Sequence, residues 1–364
     1  MNLRVSIAFF FFTALMLSQE NKEAFTLEAN YFYGNIIKHN KDIAHLITNH
    51  PEGFILSFNQ KTFGKEYWQQ KYNYPDWGFS TIFQNSKNET LGNNIGVYAH
   101  LNFYFIKRNL QFRIGQGIAY NNNPFDVYDN IKNSAYGSHF LSTTYLMLNY
   151  NKENIFKNLG VKAGFSLIHY SNGNIKAPNT STNTIAFTVG TTYKFNYEKE
   201  VVFVKDTVSK NYKEPLHYNI VLRGGVNESD YINLGQEPFF IASAYVDKRV
   251  SYKSTLTAGV DVFFSKFLEN EIEYLSITFP SFGISGDEDY KRVGLFIGHD
   301  LNMNNFAFVT QIGYYIYYPY DFEGRVYQRL GLKYHISKKL FGAVTLKTHF
   351  AKAEAIEFGI GYRI

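Results

Sequence analysis

Along most of this chain hydrophobic character alternates residue by residue, a period that fits a β-strand with two unlike faces. In Val161, Ala163, Phe165, Leu167, His169 and Ser171 every second residue is apolar until the last two, whereas Lys162, Gly164, Ser166, Ile168, Tyr170 and Asn172 are mixed. After a turn-rich stretch the pattern returns as Asn183, Ile185, Phe187 and Val189 against Thr184, Ala186, Thr188 and Gly190. Strands of this kind are expected at 24–37, 53–62, 77–86, 94–107, 109–121, 137–151, 158–171 and 183–196. A second series is expected at 215–227, 237–250, 253–266, 289–301, 304–318, 325–337, 340–350 and 354–364.

No segment beyond the N-terminus approaches the roughly 20 apolar residues of a membrane helix, and the mean hydropathy of -0.26 would by itself place the chain in water. Transmembrane strands escape that test, because about ten alternating residues leave little net hydrophobicity. The composition fits them: 18% aromatic, with Tyr 30, Phe 35, Gly 27 and only Pro 8. Arg4 is followed by the apolar run Val5 to Leu17 and then Ser18, Gln19 and Glu20, which predicts a cleaved secretory signal over 1–18. An exported chain with no cysteine must be stable without disulfides, as a closed hydrogen-bonded barrel can be. The expected fold is therefore all-β, an antiparallel outer-membrane barrel. The last strand, with Ile356, Phe358, Ile360, Tyr362 and Ile364 on one face, is similar to the terminal strand by which such barrels are inserted, although an aromatic residue usually stands where Ile364 does.

Arg113, Lys162, Lys194 and Arg363 fall on the mixed face and are expected to line the lumen. Trp77 and Tyr193 read as interfacial girdle. His39, His45 and His50, near Asp42 and Glu52, lack tight metal-ligand spacing and read as solvated loop residues. The net charge of +5 is spread along the chain and marks no nucleic-acid surface.

Comparing the two series suggests an internal duplication. NLQFRIGQGIAYNNNPFD at 109–126 resembles NFAFVTQIGYYIYYPYD at 305–321, and VKAGFSLIHYS at 161–171 resembles AVTLKTHFA at 343–351. This alignment sets His349 opposite His169 but leaves no Ser two residues on, so the second copy is expected to be inactive. The charged stretch 198–214 reads as a linker between units 19–197 and 215–364. About sixteen strands follow, with one fused barrel favoured over 12–14 strands or two small barrels.

Residues 169–183, HYSNGNIKAPNTSTN, carry the chemistry. A serine hydroxyl attacks only when a base removes its proton, and the base works only if a third group fixes its tautomer. Ser171, His169 and Asn183 supply nucleophile, base and orienting amide on one apolar face. The backbone N–H groups of Asn172 and Gly173, or the Asn172 side chain, would stabilise the oxyanion.

With those residues in view, the motif resembles that of the PagL-type lipid A 3-O-deacylases: His-x-Ser-Asn, then Pro-Asn, then an acid. His169, Ser171, Asn172, Pro178 and Asn179 match it, and Asn183 stands where the acid does. The resemblance extends over about 23–197, including YWQQKYNYPDWG at 67–78 and RIGQGIAY at 113–120. It implies an eight-stranded barrel whose lipid-facing site removes an ester-linked 3-hydroxyacyl chain from lipid A. The motif is also similar to that of outer-membrane phospholipase A, matched by His169, Ser171, Asn172, Gly173 and Asn183. That family implies calcium and a dimer; otherwise no cofactor is expected. Both resemblances imply a membrane lipid as substrate, lipid A or a phospholipid, and the competing reading is a non-enzymatic pore or scaffold. The oligomeric state is left open.

Overall fold

The computed structural model describes residues 24–195, 202–204, 214–350 and 352–364. The expected signal segment 1–18, and all of the linker 198–214 but 202–204 and 214, lie outside the described residues. Sixteen antiparallel strands form: β1 Phe25–Ile36, β2 Glu52–Gln60, β3 Asp76–Asn85, β4 Asn93–Phe105, β5 Leu110–Asn121, β6 Phe140–Phe156, β7 Leu159–Ser171 and β8 Thr182–Lys194, then β9 Leu216–Glu228, β10 Gln236–Arg249, β11 Ser254–Ser265, β12 Arg292–Met303, β13 Phe306–Tyr317, β14 Val326–His335, β15 Leu340–His349 and β16 Lys352–Arg363.

These strands close as two barrels, β1 to β8 and β9 to β16, rather than the single fused barrel favoured from the sequence. The reason lies in the ladders. β8 returns to β1 from Thr26↔Lys194 to Ile36↔Thr184, which leaves no edge for β9, and β9 pairs instead with β16. Closure satisfies every strand internally, so each unit lacks an open edge.

In both barrels the first strand starts and the last strand ends at the same rim. The opposite rim carries a 3-10 turn Lys41–Leu46, the loop 172–181 and a helix Phe267–Thr278. We refer to this as the loop rim. Outward side chains are apolar and exposed, as with Val97 at 62% and Ile118 at 63%. An eight-stranded barrel is just wide enough to be filled by side chains, and both lumens hold charged networks. In the first, Arg113 donates to Glu28 (2.7 Å), Ser57 (2.7 Å) and Asn59 (2.8 Å), while Lys162 donates to Glu28 (2.8 Å) and Gln111 (2.7 Å). In the second, Arg329 makes a bidentate pair with Glu357 (2.6 and 3.1 Å) and reaches Asp261 (2.9 Å). Arg363 likewise turns inward to Asp247, and Trp77 and Tyr193 remain exposed on the outer wall near the rim opposite the loops. Ile43 and Leu46 from the 3-10 turn are buried with Phe32, Tyr136 and Ile168, an apolar plug beneath the loop rim.

The aligned repeats occupy equivalent places: β5 and β13 are the fifth strands of their barrels, β7 and β15 the seventh. His349 corrects the finer alignment. It points into the lumen, with Nε2 on Glu354 Oε2 (2.7 Å) and Nδ1 near Val326 O (3.1 Å), and so sits on the face opposite to that of His169. In β15 it is Val344 and Leu346 that face outward, one residue out of phase with the alignment, and a one-residue slip exchanges the two faces of a strand.

The barrels touch at both rims. Opposite the loop rim, Tyr72 Oη donates to Asn302 O (2.7 Å) and Tyr67 packs edge-on against Tyr252 (4.7 Å).

Candidate active site

The site is built on the last two outward positions of β7 and the first of β8. His169 and Asn183 are direct cross-strand partners, and His169 Nδ1 lies 2.8 Å from Asn183 Oδ1. Facing side chains in an antiparallel pair sit close enough for this contact without distortion. Since the amide oxygen only accepts, Nδ1 carries the proton and Nε2 is left as the basic nitrogen.

Ser171 ends β7 and is 6% exposed. Its hydroxyl donates to Asn179 Oδ1 (3.1 Å) and accepts from Gly173 N–H (3.0 Å). Asn179 Oδ1 also accepts from Asn172 N–H (2.9 Å), so one amide gathers the nucleophile and the loop backbone. The Asn172 side chain is turned away, its Nδ2 donating to Lys176 O (2.5 Å). Pro178 precedes Asn179 in the same loop and is partly buried. The structure thus brings His169 to Asn183, and Ser171 to Asn172, Gly173 and Asn179. Among the described contacts no hydrogen bond joins His169 to Ser171, although their side chains share one face.

Gly173 has φ +65, in the left-handed region open to glycine. A Cβ there would stand 2.4 Å from Ile356 Cγ1 of β16, so the loop backbone packs directly on the second barrel.

The loop is fastened on its other side as well. Thr180 N and Ser181 N donate to Ser134 O and Ala135 O (both 3.1 Å), and His39 Nε2 donates to Thr180 O (2.9 Å). His45 Nε2 likewise reaches Lys132 O (2.8 Å). His39 and His45, read from the sequence as solvated loop residues, therefore staple loops. Sequence reading also passed over Gln116, Ser142 and Thr144, outward polar residues on β5 and β6. Thr144 is the cross-strand neighbour of His169 on β6, and it donates to Gln116 Oε1 (2.5 Å) while Gln116 donates to Ser142 (3.2 Å). Their signal was available: Gln116 interrupts the apolar alternation between Ile114 and Ile118. Among the described residues no group of three or more His, Cys, Asp or Glu could hold a metal ion.

Among solved structures, the chain is similar to two mutants of the Rhodopseudomonas blastica porin. Each is 9% identical, covering 93% of this chain and 99% of that one, at TM-scores of 0.19 and 0.18. No curated protein matches the chain. Residues 52–192 match the family described as lipid A 3-O-deacylase (PagL), and residues 216–364 match the acyloxyacyl hydrolase C-terminal domain, PagL_C. Family matches thus fall on both barrels, and the chain belongs to the PagL family of acyloxyacyl hydrolases.

Proposed function

We propose that the protein is an outer-membrane lipid A 3-O-deacylase that hydrolyses an acyl ester at the outer wall of its first barrel. Family membership supports the substrate class, and the observation that carries the mechanism is the 2.8 Å contact from His169 Nδ1 to Asn183 on an outward face. That contact fixes the tautomer a general base needs. A polar set on a wall otherwise made of exposed Phe165, Phe187 and Val189 would be costly in hydrocarbon without a function.

In this reading Ser171 Oγ attacks the ester carbonyl, His169 Nε2 takes the hydroxyl proton, and the imidazolium then protonates the departing sugar alkoxide. Water repeats the sequence in reverse on the acyl-enzyme, releasing the fatty acid and restoring the serine. The resting hydroxyl is aimed at Asn179, so a turn about χ1 of Ser171 must bring its proton to His169; such bonds commonly tighten only with substrate bound. Gly173 N–H, already 3.0 Å from Ser171 Oγ, is suited to the oxyanion once the hydroxyl has moved. The membrane delivers substrate by lateral diffusion after export, with the catalytic motif in the unit 19–197 and a degenerate second unit, 215–364, beyond the linker.

Mass spectrometry of lipid A and phospholipids after incubation with the refolded protein tests this. Loss of one hydroxyacyl chain from lipid A, undiminished by chelator, is expected. Asn183 also suits a calcium-dependent phospholipase, for which lysophospholipid produced only with calcium is the distinguishing product. Unchanged lipids of both kinds would leave a scaffold. Asn183→Asp is expected to hydrolyse at or above the wild-type rate, because a carboxylate also stabilises the imidazolium; a dead but folded variant would remove Asn183 from the triad.

A further inference from the structure

The tip of the catalytic loop is held by the second barrel. Glu228 ends β9 and is 5% exposed. Its carboxylate accepts from Ala177 N–H (3.0 Å), its own N–H donates to Asn174 O (3.0 Å), and its carbonyl accepts from Asn174 Nδ2 (2.8 Å). Gln236 of β10 adds a bond to Ile175 O (2.7 Å). On the other side of the tip, Gly173 lies against Ile356 and Leu346, themselves cross-strand partners on the outer wall of the second barrel.

These contacts bracket the nucleophile. Ala177 is two residues before Asn179, the amide that positions both the Ser171 hydroxyl and Asn172 N–H, and Gly173 is two residues after Ser171. Movement of the tip would therefore be passed to the nucleophile and to the candidate oxyanion donor together. We propose that Glu228 is a positioning residue, and that the second barrel completes the hydrolytic site of the first by clamping its catalytic loop. This rests on the ester-hydrolase reading above. It also gives the unit lacking a His-x-Ser of its own a part in the reaction. Below the contact, the strands that carry Ile356 and Leu346 continue outward as Phe358 and Val344, exposed at 60% and 50%. They provide an apolar wall for an acyl chain descending from Ser171.

The test uses the full chain refolded in lipid, with Glu228→Ala, Glu228→Gln and an independent probe of the loop. Because the chain has no cysteine, Ala177→Cys introduces one reporter thiol at a position 3% exposed. Glu228→Ala is expected to lower kcat by roughly ten- to a hundredfold with KM within about twofold, the pattern of a misplaced catalytic group. Glu228→Gln, whose amide oxygen still accepts from Ala177 N–H, is expected to retain the wild-type kcat. Maleimide labelling of Ala177→Cys is expected to be severalfold faster in the Glu228→Ala background. An unchanged kcat in folded Glu228→Ala, a Glu228→Gln variant as slow as Glu228→Ala, or labelling indifferent to Glu228 each overturns the clamp. If wild type hydrolyses no lipid while labelling still depends on Glu228, the clamp is upheld and the hydrolase reading is the one lost.

Discussion

Ser171→Ala is expected to reduce lipid A ester hydrolysis by about 10⁴- to 10⁶-fold while leaving the barrel folded, the range seen when a serine nucleophile is removed from an oriented triad. The fold should survive because little depends on the hydroxyl. It donates one bond to Asn179, whose oxygen keeps Asn172 N–H as a partner, and it accepts one from Gly173. Losing such bonds costs about 1 kcal/mol each. His169→Ala should lose a comparable factor, and the double variant should be no slower than the worse single one, since groups acting in one step are not additive. A Ser171→Ala protein that still released the hydroxyacyl chain at more than about a hundredth of the wild-type rate would sink the mechanism. The assay reads free fatty acid by mass spectrometry, with heat-modified electrophoretic mobility as the check on folding.

Much of this was legible in the sequence because the signals are local. Period-two alternation is a property of neighbouring residues, so each of the sixteen expected strands appears within a few residues of its predicted ends, and its faces point as the pattern requires. The motif stood out for the same reason: His169, Ser171 and Asn183 are polar where their alternation demands apolar residues. Closure was not legible. Whether β8 returns to β1 or continues into β9 depends on hydrogen bonds between residues far apart in sequence, such as Thr26 and Lys194 at 168 positions, and both choices satisfy the same pattern. His349 was misplaced because a similarity drawn across nine residues tolerated a slip of one, which costs little in an alignment but exchanges wall for lumen. Glu228 carries no local signal at all. It is one more charged residue at the end of a strand until the loop of the other barrel is laid upon it.

Glu28→Gln is expected to destabilise the first barrel by about 3–5 kcal/mol, because it removes the one carboxylate shared by two buried cations. Arg113 and Lys162 side chains are both 1% exposed and Glu28 is 4% exposed, so water cannot replace the lost charge. Glutamine has nearly the same volume and could still accept a bond, which confines the change to electrostatics. The neutral partners Ser57, Asn59 and Gln111 would remain, satisfying donors without neutralising them. Adding Lys162→Met should recover part of the loss, since a single buried cation is then left. Glu52→Gln is the matched control: its pair with Lys87 (2.6 Å) joins the start of β2 to a loop-rim residue with side chains 30% and 43% exposed, so solvent screens it and the unfolding midpoint should stay close to that of wild type. Urea unfolding in lipid vesicles reads all of these, and a Glu28→Gln midpoint matching that of Glu52→Gln would mean that the lumen is wetter than its packing implies. Activity separates this network from the site. Glu28 pairs across β1 and β8 with Thr192, nine residues down the strand from Asn183. Glu28→Gln should therefore lower the folded fraction while leaving kcat per folded molecule unchanged, whereas Glu228→Ala should do the opposite.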